Sequence, residues 1–251
     1  MISIGIDVGS TYTKYCVLDD NGEVAELFSE KTPIRQEEYF QRKIKEFRIR
    51  YPEAKIISCG YGKKNIAAMK NISELVALAR GVNYVLPESR IVLDIGGQDT
   101  KVIQQDKGQL KKFFINDKCA AGSGMFLANT LNLLQSDFRN LDFTKVTEND
   151  KQVNLASVCA VFAQTEIVKL IAANYAEAEI IHAVIRHILT QAKPLLRKVS
   201  QGEILLTGGL AQIPGIAGIA SSIFCRPVVV HSYGAYLATI GCTVSSEMFH
   251  C

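Results

Sequence analysis

The chain of 251 residues has an ordinary apolar content of 48% and a net charge of +3. So small a net charge gives no argument for a nucleic-acid partner, and no apolar run of about 18 or more residues predicts a membrane span. Because the strand pattern of residues 1–6 leaves no room for a signal peptide, we expect a cytoplasmic protein.

Alternating and helical hydrophobic patterns predict an α/β unit that occurs twice. The first half is predicted to contain three strands, a helix, a strand and a second helix, at 2–6, 12–18, 24–30, 36–49, 55–59 and 64–81. The second half repeats the three strands, at 90–95, 100–105 and 110–115. Its later elements are helices at 120–135, 160–173 and 176–199, strands at 203–207 and 227–231, and a final helix from about 234.

The strongest sign of duplication is a segment of ten residues. Residues 6–15, IDVGSTYTKY, recur 87 positions later as residues 93–102, LDIGGQDTKV. Each copy predicts a strand, a tight glycine turn and a returning strand, with a carboxylate at the bend. One copy could equally be a solvated turn. Two copies facing each other favour a site for a metal-bound polyphosphate.

The residue types in these turns suit that ligand. Glycines let the backbone approach an anion and present its N–H groups, while hydroxyl and ammonium groups add donors. Asp7 and Asp94 can hold Mg²⁺ through its water shell, and we group them with Gln98 as candidate catalytic residues for orienting a water. The residues expected to contact the ligand are Gly9, Ser10, Thr11, Tyr12, Thr13, Lys14, Gly96, Gly97, Gln98, Asp99 and Lys101.

A third glycine site, Gly208-Gly209, follows the strand predicted at 203–207, and we group Gln212 with it. Alone, such a pair could lie under an adenine and ribose or cap a turn. After the two hairpins, it resembles the actin, sugar-kinase and heat-shock-chaperone ATPase superfamily. That resemblance implies an α/β fold with duplicated ribonuclease-H-like (actin-like ATPase) domains and an ATP cleft between them. The expected first domain is 1–86 plus 233–251, and the second is 87–232.

Seven cysteines are many for a reducing compartment, and the odd number argues against a disulfide framework. Cys16 and Cys225 lie in apolar strand patterns and are predicted to be core. Cys119 and Cys159 each precede a predicted helix, where the helix N-terminus would stabilise a metal-bound thiolate. Spacing alone favours buried structural cysteines. Two ligands cannot complete a four-cysteine iron–sulfur site in one chain, although a two-fold dimer could.

The segments DVGST, DIGGQD, NDKCAAG and CAVFA closely resemble the 2-hydroxyacyl-CoA dehydratase activator family, which includes the ATPase subunits of benzoyl-CoA reductase. The likeness spans essentially the whole chain. It implies a homodimer in which Cys119 and Cys159 of both subunits hold one 4Fe-4S cluster, with ATP and Mg²⁺ in the hairpins. It further implies ATP-driven transfer of single electrons from reduced ferredoxin or flavodoxin to a partner iron–sulfur enzyme.

Three departures from the family pattern are present, and the one at Met125 bears on the choice of partner. Met125 and Lys63 stand where the family usually has arginine, and Ala235 stands where relatives often carry glutamine. The acceptor could be a 2-hydroxyacyl-CoA dehydratase, a benzoyl-CoA-reductase-like enzyme or a double-cubane-cluster protein. A small-molecule kinase of the same superfamily is the alternative from another class, although 251 residues leave little room for its substrate pocket. A nucleotide-gated scaffold is a third class.

Overall fold

The computed structural model describes residues 1–116, 120–137, 153–156 and 159–244. By the contacts between its residues, the chain divides into two compact units. Unit 1 comprises Met1–Arg90, Ile103–Phe113 and the chain from Ala235 onward, and unit 2 comprises Ile91–Val102 and Phe114–Gly234. None of the helices in the described ranges is long and apolar enough to cross a membrane.

The first sheet has five strands in the order β3-β2-β1-β4-β5, with β1 antiparallel to β2 and parallel to β4. Apolar side chains that alternate along β1 and β2 are fully buried beneath α1, and the rings of Tyr15 and Phe28 stack with their centroids 4.6 Å apart. The strands are β1 Ser3–Val8, β2 Tyr12–Leu18, β3 Val24–Lys31, β4 Lys55–Gly60 and β5 Lys70–Asn71. The helix α1 is Gln36–Arg50.

Two further helices of unit 1, α2 (Glu74–Val85) and α7 (Leu237–Thr243), pack with their backbones in close approach. A Cβ added to Gly81 would lie 1.7 Å from the carbonyl oxygen of Leu237, and a Cβ added to Gly241 would lie 1.7 Å from that of Ala77. On the sheet side, a Cβ at Gly5 of β1 would lie 2.0 Å from a carbonyl oxygen of α7. Glycine is therefore required at all three contacts.

The second sheet repeats the arrangement of the first, in the order β10-β9-β6-β7-β8 with β6 parallel to β9. In unit 2, the core is built on α5, which buries one apolar face along its length. The strands are β6 Ile91–Ile95, β7 Thr100–Asp106, β8 Gln109–Asn116, β9 Ile204–Gly208 and β10 Val228–Val229. The helices are α3 Gly124–Leu134, α4 Ala160–Ala172, α5 Glu177–Leu196 and α6 Ile216–Phe224.

Three sequence-based expectations about elements are wrong in detail. The helix expected at 64–81 is α2, which begins only at Glu74, because Lys70–Asn71 pairs with β4 as a short edge strand. The helix α6 was not expected at all. The last strand is two residues long instead of five because the chain leaves β9 again after Val229.

The two cysteines that were expected to lie in the core, Cys16 and Cys225, differ in burial. Cys16 in β2 is fully buried, as predicted. Cys225 is exposed, and its prediction is wrong, because it lies at the C-terminus of α6 with a left-handed φ of +52° and belongs to no strand. Cys59 and Cys242 are both buried in one small cluster of unit 1.

Candidate functional site

In the first predicted hairpin, the register of β1 and β2 sets Asp7 directly opposite Lys14. Directly opposed side chains lie on the same face of a sheet, so the carboxylate and the ammonium stem are neighbours. Asp7 is buried, and Lys14 is half-buried. The hairpin therefore carries an acidic and a basic residue on one face of the sheet, close to its turn.

The turn that follows Asp7 is held by hydroxyl groups. Thr32 Oγ1 donates to the carbonyl oxygen of Gly9 at 2.7 Å and lies 3.0 Å from Thr13 Oγ1. A Cβ at Gly9 would lie 2.7 Å from the carbonyl oxygen of Tyr12, so the turn is too tight for a larger residue. Thr11 Oγ1 is buried and has no hydrogen-bond partner in the described ranges. A buried hydroxyl without a partner fits a site that a polar ligand completes.

The neighbouring strand β4 brings Cys59 beside Asp7. The two residues are paired in the sheet register, and Cys59 Sγ donates to Asp7 Oδ1 at 3.6 Å. The pKa of the Cys59 thiol is raised well above its ordinary value, chiefly by a hydrogen bond with Cys242 and then by burial. The thiol therefore stays protonated, and it can act only as a weak donor to the carboxylate.

In the second predicted hairpin, Asp94 is surrounded by donors. Thr207 Oγ1 of β9 donates to Asp94 Oδ1 at 2.9 Å, and Lys101 Nζ lies 3.5 Å from Asp94 Oδ2. Lys101 Nζ also donates to Asp99 Oδ1 at 2.8 Å. Both Lys101 and Asp99 are buried, so these ion pairs are largely shielded from water. The Asp94 carboxylate is thus held at both of its oxygens.

The glycine turn after Asp94 is fastened to the start of α3. The backbone N–H groups of Gly124 and Met125 donate to the carbonyl oxygens of Gly96 and Gly97, both at 2.8 Å. Thr100 Oγ1 makes a further bond, to the carbonyl oxygen two residues before α3. Any displacement of this turn therefore acts directly on the first turn of α3, and the reverse is equally true.

The third glycine site lies at the same end of the second sheet. Gly208 pairs with Ile95 in the register of β9 and β6, one position beyond the pair of Thr207 with Asp94. Its φ is +87°, and an added Cβ would lie 2.2 Å from the Ile95 carbonyl oxygen. Gly209 is exposed, and among the described residues beyond its chain neighbours no heavy atom lies within 4 Å of an added Cβ. Unit 2 thus brings together two of the three predicted glycine sites.

The other predicted contacts face solvent. They lie in or beside the turns, where a ligand could reach them. These exposed residues are Ser10, Tyr12, Gln98, Gly209 and Gln212.

One glycine that the sequence analysis did not assign to the ligand site is Gly60. It ends β4 and pairs with Val8, as Gly208 ends β9 and pairs with Ile95. Its φ is also +87°, and an added Cβ would lie 2.5 Å from the Val8 carbonyl oxygen and 2.6 Å from Asp7 Oδ1. The glycine at the end of a predicted strand, in the segment GYG, is the signal that could have found it.

Of the two predicted cluster cysteines, Cys159 is the N-cap residue of α4, and it is a free, exposed thiol. Val161 and Phe162, in the first turn of α4, are 71% and 67% exposed. Two large apolar side chains facing solvent at the start of a helix are unusual. Cys119 lies outside the described residues. Across the described ranges, no three His, Cys, Asp or Glu side chains are grouped so that they could hold a metal ion.

Similarity to known proteins identifies the family. A family model for the BadF/BadG/BcrA/BcrD ATPase family matches residues 4–244. The chain belongs to this ATPase family. The resemblance seen in the cysteine and glycine segments is therefore confirmed, and ATP binding follows from membership of the BadF/BadG/BcrA/BcrD family.

Relatives in sequence include dehydratase activators. The 2-hydroxyisocaproyl-CoA dehydratase activator of Clostridioides difficile is 33% identical over 223 residues, which are 86% of this chain and 84% of the relative. The (R)-2-hydroxyglutaryl-CoA dehydratase activating ATPase of Acidaminococcus fermentans is 33% identical over 229 residues, 86% of this chain and 85% of the relative. Both are dehydratase activators by name, the second is also named an ATPase, and both match over most of their length.

A solved structure confirms the fold. The activator of the 2-hydroxyisocaproyl-CoA dehydratase from Clostridium difficile, with bound ADPNP, matches with a TM-score of 0.87 and 28% identity. The match covers 97% of this chain and 93% of that chain. Together with the two sheets of identical strand order, it confirms the predicted duplicated ribonuclease-H-like domains of the actin-like ATPase type.

Proposed function

We propose that this protein is an ATP-dependent activator that delivers single low-potential electrons to a partner iron–sulfur enzyme of the 2-hydroxyacyl-CoA dehydratase or benzoyl-CoA reductase type. The observation that carries the proposal is the free, exposed Cys159 at the N-terminus of α4 in a chain of this ATPase family. A small-molecule kinase has no use for such a thiol.

Both glycine hairpins would contribute to the binding of ATP and Mg²⁺. Asp7 and Asp94 would hold the metal through its water shell, since Mg²⁺ keeps several waters beside one or two carboxylates. Backbone N–H groups of the glycine turns and the buried Thr11 hydroxyl would donate to phosphate oxygens. In hydrolysis, water attacks the γ-phosphorus, the bond to the β–γ bridging oxygen breaks, and a carboxylate or Gln98 orients the water.

The cysteines suit an iron–sulfur cluster shared between two copies of the chain. Cys159 is a free, exposed thiol at the N-terminus of α4. The exposed Val161 and Phe162 beside it would be covered by a second subunit, which would also keep water away. On the sequence resemblance, Cys119 is the second ligand, so that two chains supply four thiolates. A 4Fe-4S cluster held there would supply one-electron chemistry.

Hydrogen bonds between a glycine turn and α3 would link a bound nucleotide to the cluster. The turn Gly96–Gly97 is bonded to the start of α3, and Cys119 precedes that helix in the sequence by five positions. A change at the phosphate turn would thereby reach the segment that bears a proposed ligand. The donor in this scheme is reduced ferredoxin or flavodoxin.

The proposal is tested by anaerobic purification followed by iron and acid-labile sulfide analysis. We expect a brown homodimer with about one 4Fe-4S cluster per dimer. Cys159→Ser and Cys119→Ser should each lose the iron and keep ATP binding. Cys225→Ser is the matched control, because that thiol is also free and exposed, and its iron content should equal that of the wild type.

A colourless monomer would refute the proposal, as would Cys159→Ser and Cys119→Ser variants with unchanged iron after reconstitution. Hydrolysis of ATP alone does not discriminate, because kinases and scaffolds of the same fold also hydrolyse ATP. Electron delivery is measured separately. The reduced protein should reduce a purified 2-hydroxyacyl-CoA dehydratase in the presence of ATP and Mg²⁺, and should fail to do so with ADP.

A further inference from the structure

We infer that the two lysines related by the duplication have different tasks. Lys14 contacts the phosphates of the nucleotide, whereas Lys101 is a positioning residue that holds Asp94 and Asp99. This inference rests on the proposed ATP binding and deepens it. Equivalent residues of the two hairpins are 87 positions apart in the sequence.

Both lysines occupy the same place in their hairpins. Lys14 lies opposite Asp7 across the β1–β2 pair. Lys101 follows Asp94 by the same number of residues, and its ammonium lies 3.5 Å from the Asp94 carboxylate. On sequence alone, the two lysines would be assigned the same role.

The ammonium group of Lys101 is buried and is paired with carboxylates. Its side chain is 5% exposed, and its Nζ donates to Asp99 Oδ1 at 2.8 Å in addition to its contact with Asp94. Asp99 is buried to the same degree. If this ammonium moved to a phosphate, a buried ion pair with Asp99 would be broken, which is unfavourable. Lys101 therefore stays with the two carboxylates.

The surroundings of Lys14 differ at one decisive position. The residue equivalent to Asp99 in the first hairpin is Tyr12, whose side chain is 47% exposed. Lys14 itself is half-buried, and within the described ranges it has no ion pair within 4.0 Å. An ammonium that no carboxylate has captured keeps its donors for an anionic ligand. Lys14 is thus the cation of the pair that can meet a polyphosphate.

The bond from Lys101 has a consequence for catalysis through Asp94. With Thr207 on Oδ1 and Lys101 near Oδ2, the Asp94 carboxylate has one orientation. Removing the ammonium frees one oxygen of Asp94, which is 14% exposed, and takes the shared cation from both Asp94 and the buried Asp99. The loss should therefore appear in the hydrolytic step and not in the affinity for ATP.

The test separates affinity from turnover in Lys14→Met, Lys101→Met and the control Lys112→Met, whose lysine is exposed on β8. Affinity for Mg-ATP is measured by calorimetry, and kcat by phosphate release. Lys14→Met should raise Kd about tenfold or more, since each tenfold is about 1.4 kcal/mol. Lys101→Met should lower kcat about tenfold or more and change Kd by less than about threefold. The control should change neither.

A second variant keeps the test decisive if Lys101→Met does not fold. Asp99→Asn removes the nearest carboxylate and leaves Lys101 in place. A positioning role requires a lower kcat at unchanged Kd, whereas a phosphate-binding Lys101 that Asp99 restrains would bind ATP more tightly once released. Tighter binding would overturn the inference, and so would a Lys101→Met variant that loses affinity as much as Lys14→Met.

The failure of this inference differs from the failure of the proposed function. If the wild-type protein binds no Mg-ATP, both are refuted. If it binds Mg-ATP and the two lysine variants behave alike, only the assignment of the lysines is wrong.

Discussion

Gly60 and Gly208 occupy equivalent positions in the two sheets, each at the end of a strand that runs parallel to the strand bearing an aspartate. Both have a φ of +87°, and in both an added Cβ would collide with the carbonyl oxygen of the residue that follows the aspartate. The duplicated unit thus extends beyond the hairpins to a glycine that brings a second backbone segment against each aspartate strand. On this geometry, Gly60 is as good a candidate for the ligand site as Gly208.

The first prediction concerns these two glycines. Gly60→Ala and Gly208→Ala should each lower the free energy of unfolding by about 1–3 kcal/mol, because the φ is left-handed and the new methyl group would lie 2.5 Å or less from a carbonyl oxygen. Thermal and urea unfolding measure the effect. Gly209→Ala is the matched control, because an added Cβ there has no neighbour within 4 Å. Equal stability of Gly208→Ala and Gly209→Ala would contradict the prediction.

The second prediction concerns the contact of α2 with α7. Gly241→Ala should destabilise the protein by about 3 kcal/mol or more, since the methyl group would lie 1.7 Å from the Ala77 carbonyl oxygen and force two helix backbones apart. Gly218→Ala in α6 is the control. Its added Cβ meets nothing within 4 Å, so the higher helix propensity of alanine should stabilise by up to about 1 kcal/mol. Chemical denaturation distinguishes the two signs.

The third prediction concerns the hydroxyl that holds Asp94. Thr207→Val keeps the shape of a fully buried side chain and removes the donor to Asp94 Oδ1. Hydrogen bonds to charged groups are worth about 1.5–3 kcal/mol, so kcat for ATP hydrolysis should fall about tenfold or more. Thr207→Ser, which retains the hydroxyl, should recover most of the activity. A valine variant as active as the serine variant would show that Asp94 does not need this bond.

The fourth prediction concerns stability at alkaline pH. Burial raises the pKa of Cys16 from 9.0 to about 12, so the folded protein holds this proton more tightly than the unfolded chain does. Its contribution to stability is complete below about pH 9 and is lost as the pH rises toward 12. Tyr15, whose pKa is also raised chiefly by burial, adds to the same decline.

Urea unfolding between pH 8 and pH 11 measures that decline. Cys16→Ala should lose less stability with rising pH than the wild type, whatever its stability at neutral pH. Cys225→Ser, which replaces an exposed thiol, should follow the wild-type slope. Parallel curves for all three proteins would mean that Cys16 does not titrate differently in the folded state.

Much of the architecture could be predicted because it is encoded locally. The hairpin at Gly9 and its copy at Gly96–Gly97 follow from an alternating pattern, a glycine turn and a returning strand, all within ten residues. The helix that starts after Cys159 follows from its apolar period in the same way. The start of α2 could not be found locally, since it depends on the pairing of Lys70–Asn71 with β4.

By itself, the sequence determined the duplication, the positions of the glycine turns and membership of an ATPase family, since each is written in contiguous residues. Only the tertiary structure decided which partners those residues have. Thr207 reaches Asp94 across 113 positions of sequence, and Cys59 reaches Asp7 across 52. Lys101 and Lys14 differ in their surroundings, because Lys101 pairs with the buried Asp99, whereas the equivalent position near Lys14 is the exposed Tyr12. Strand pairing sets such contacts over long separations, and no local pattern records them.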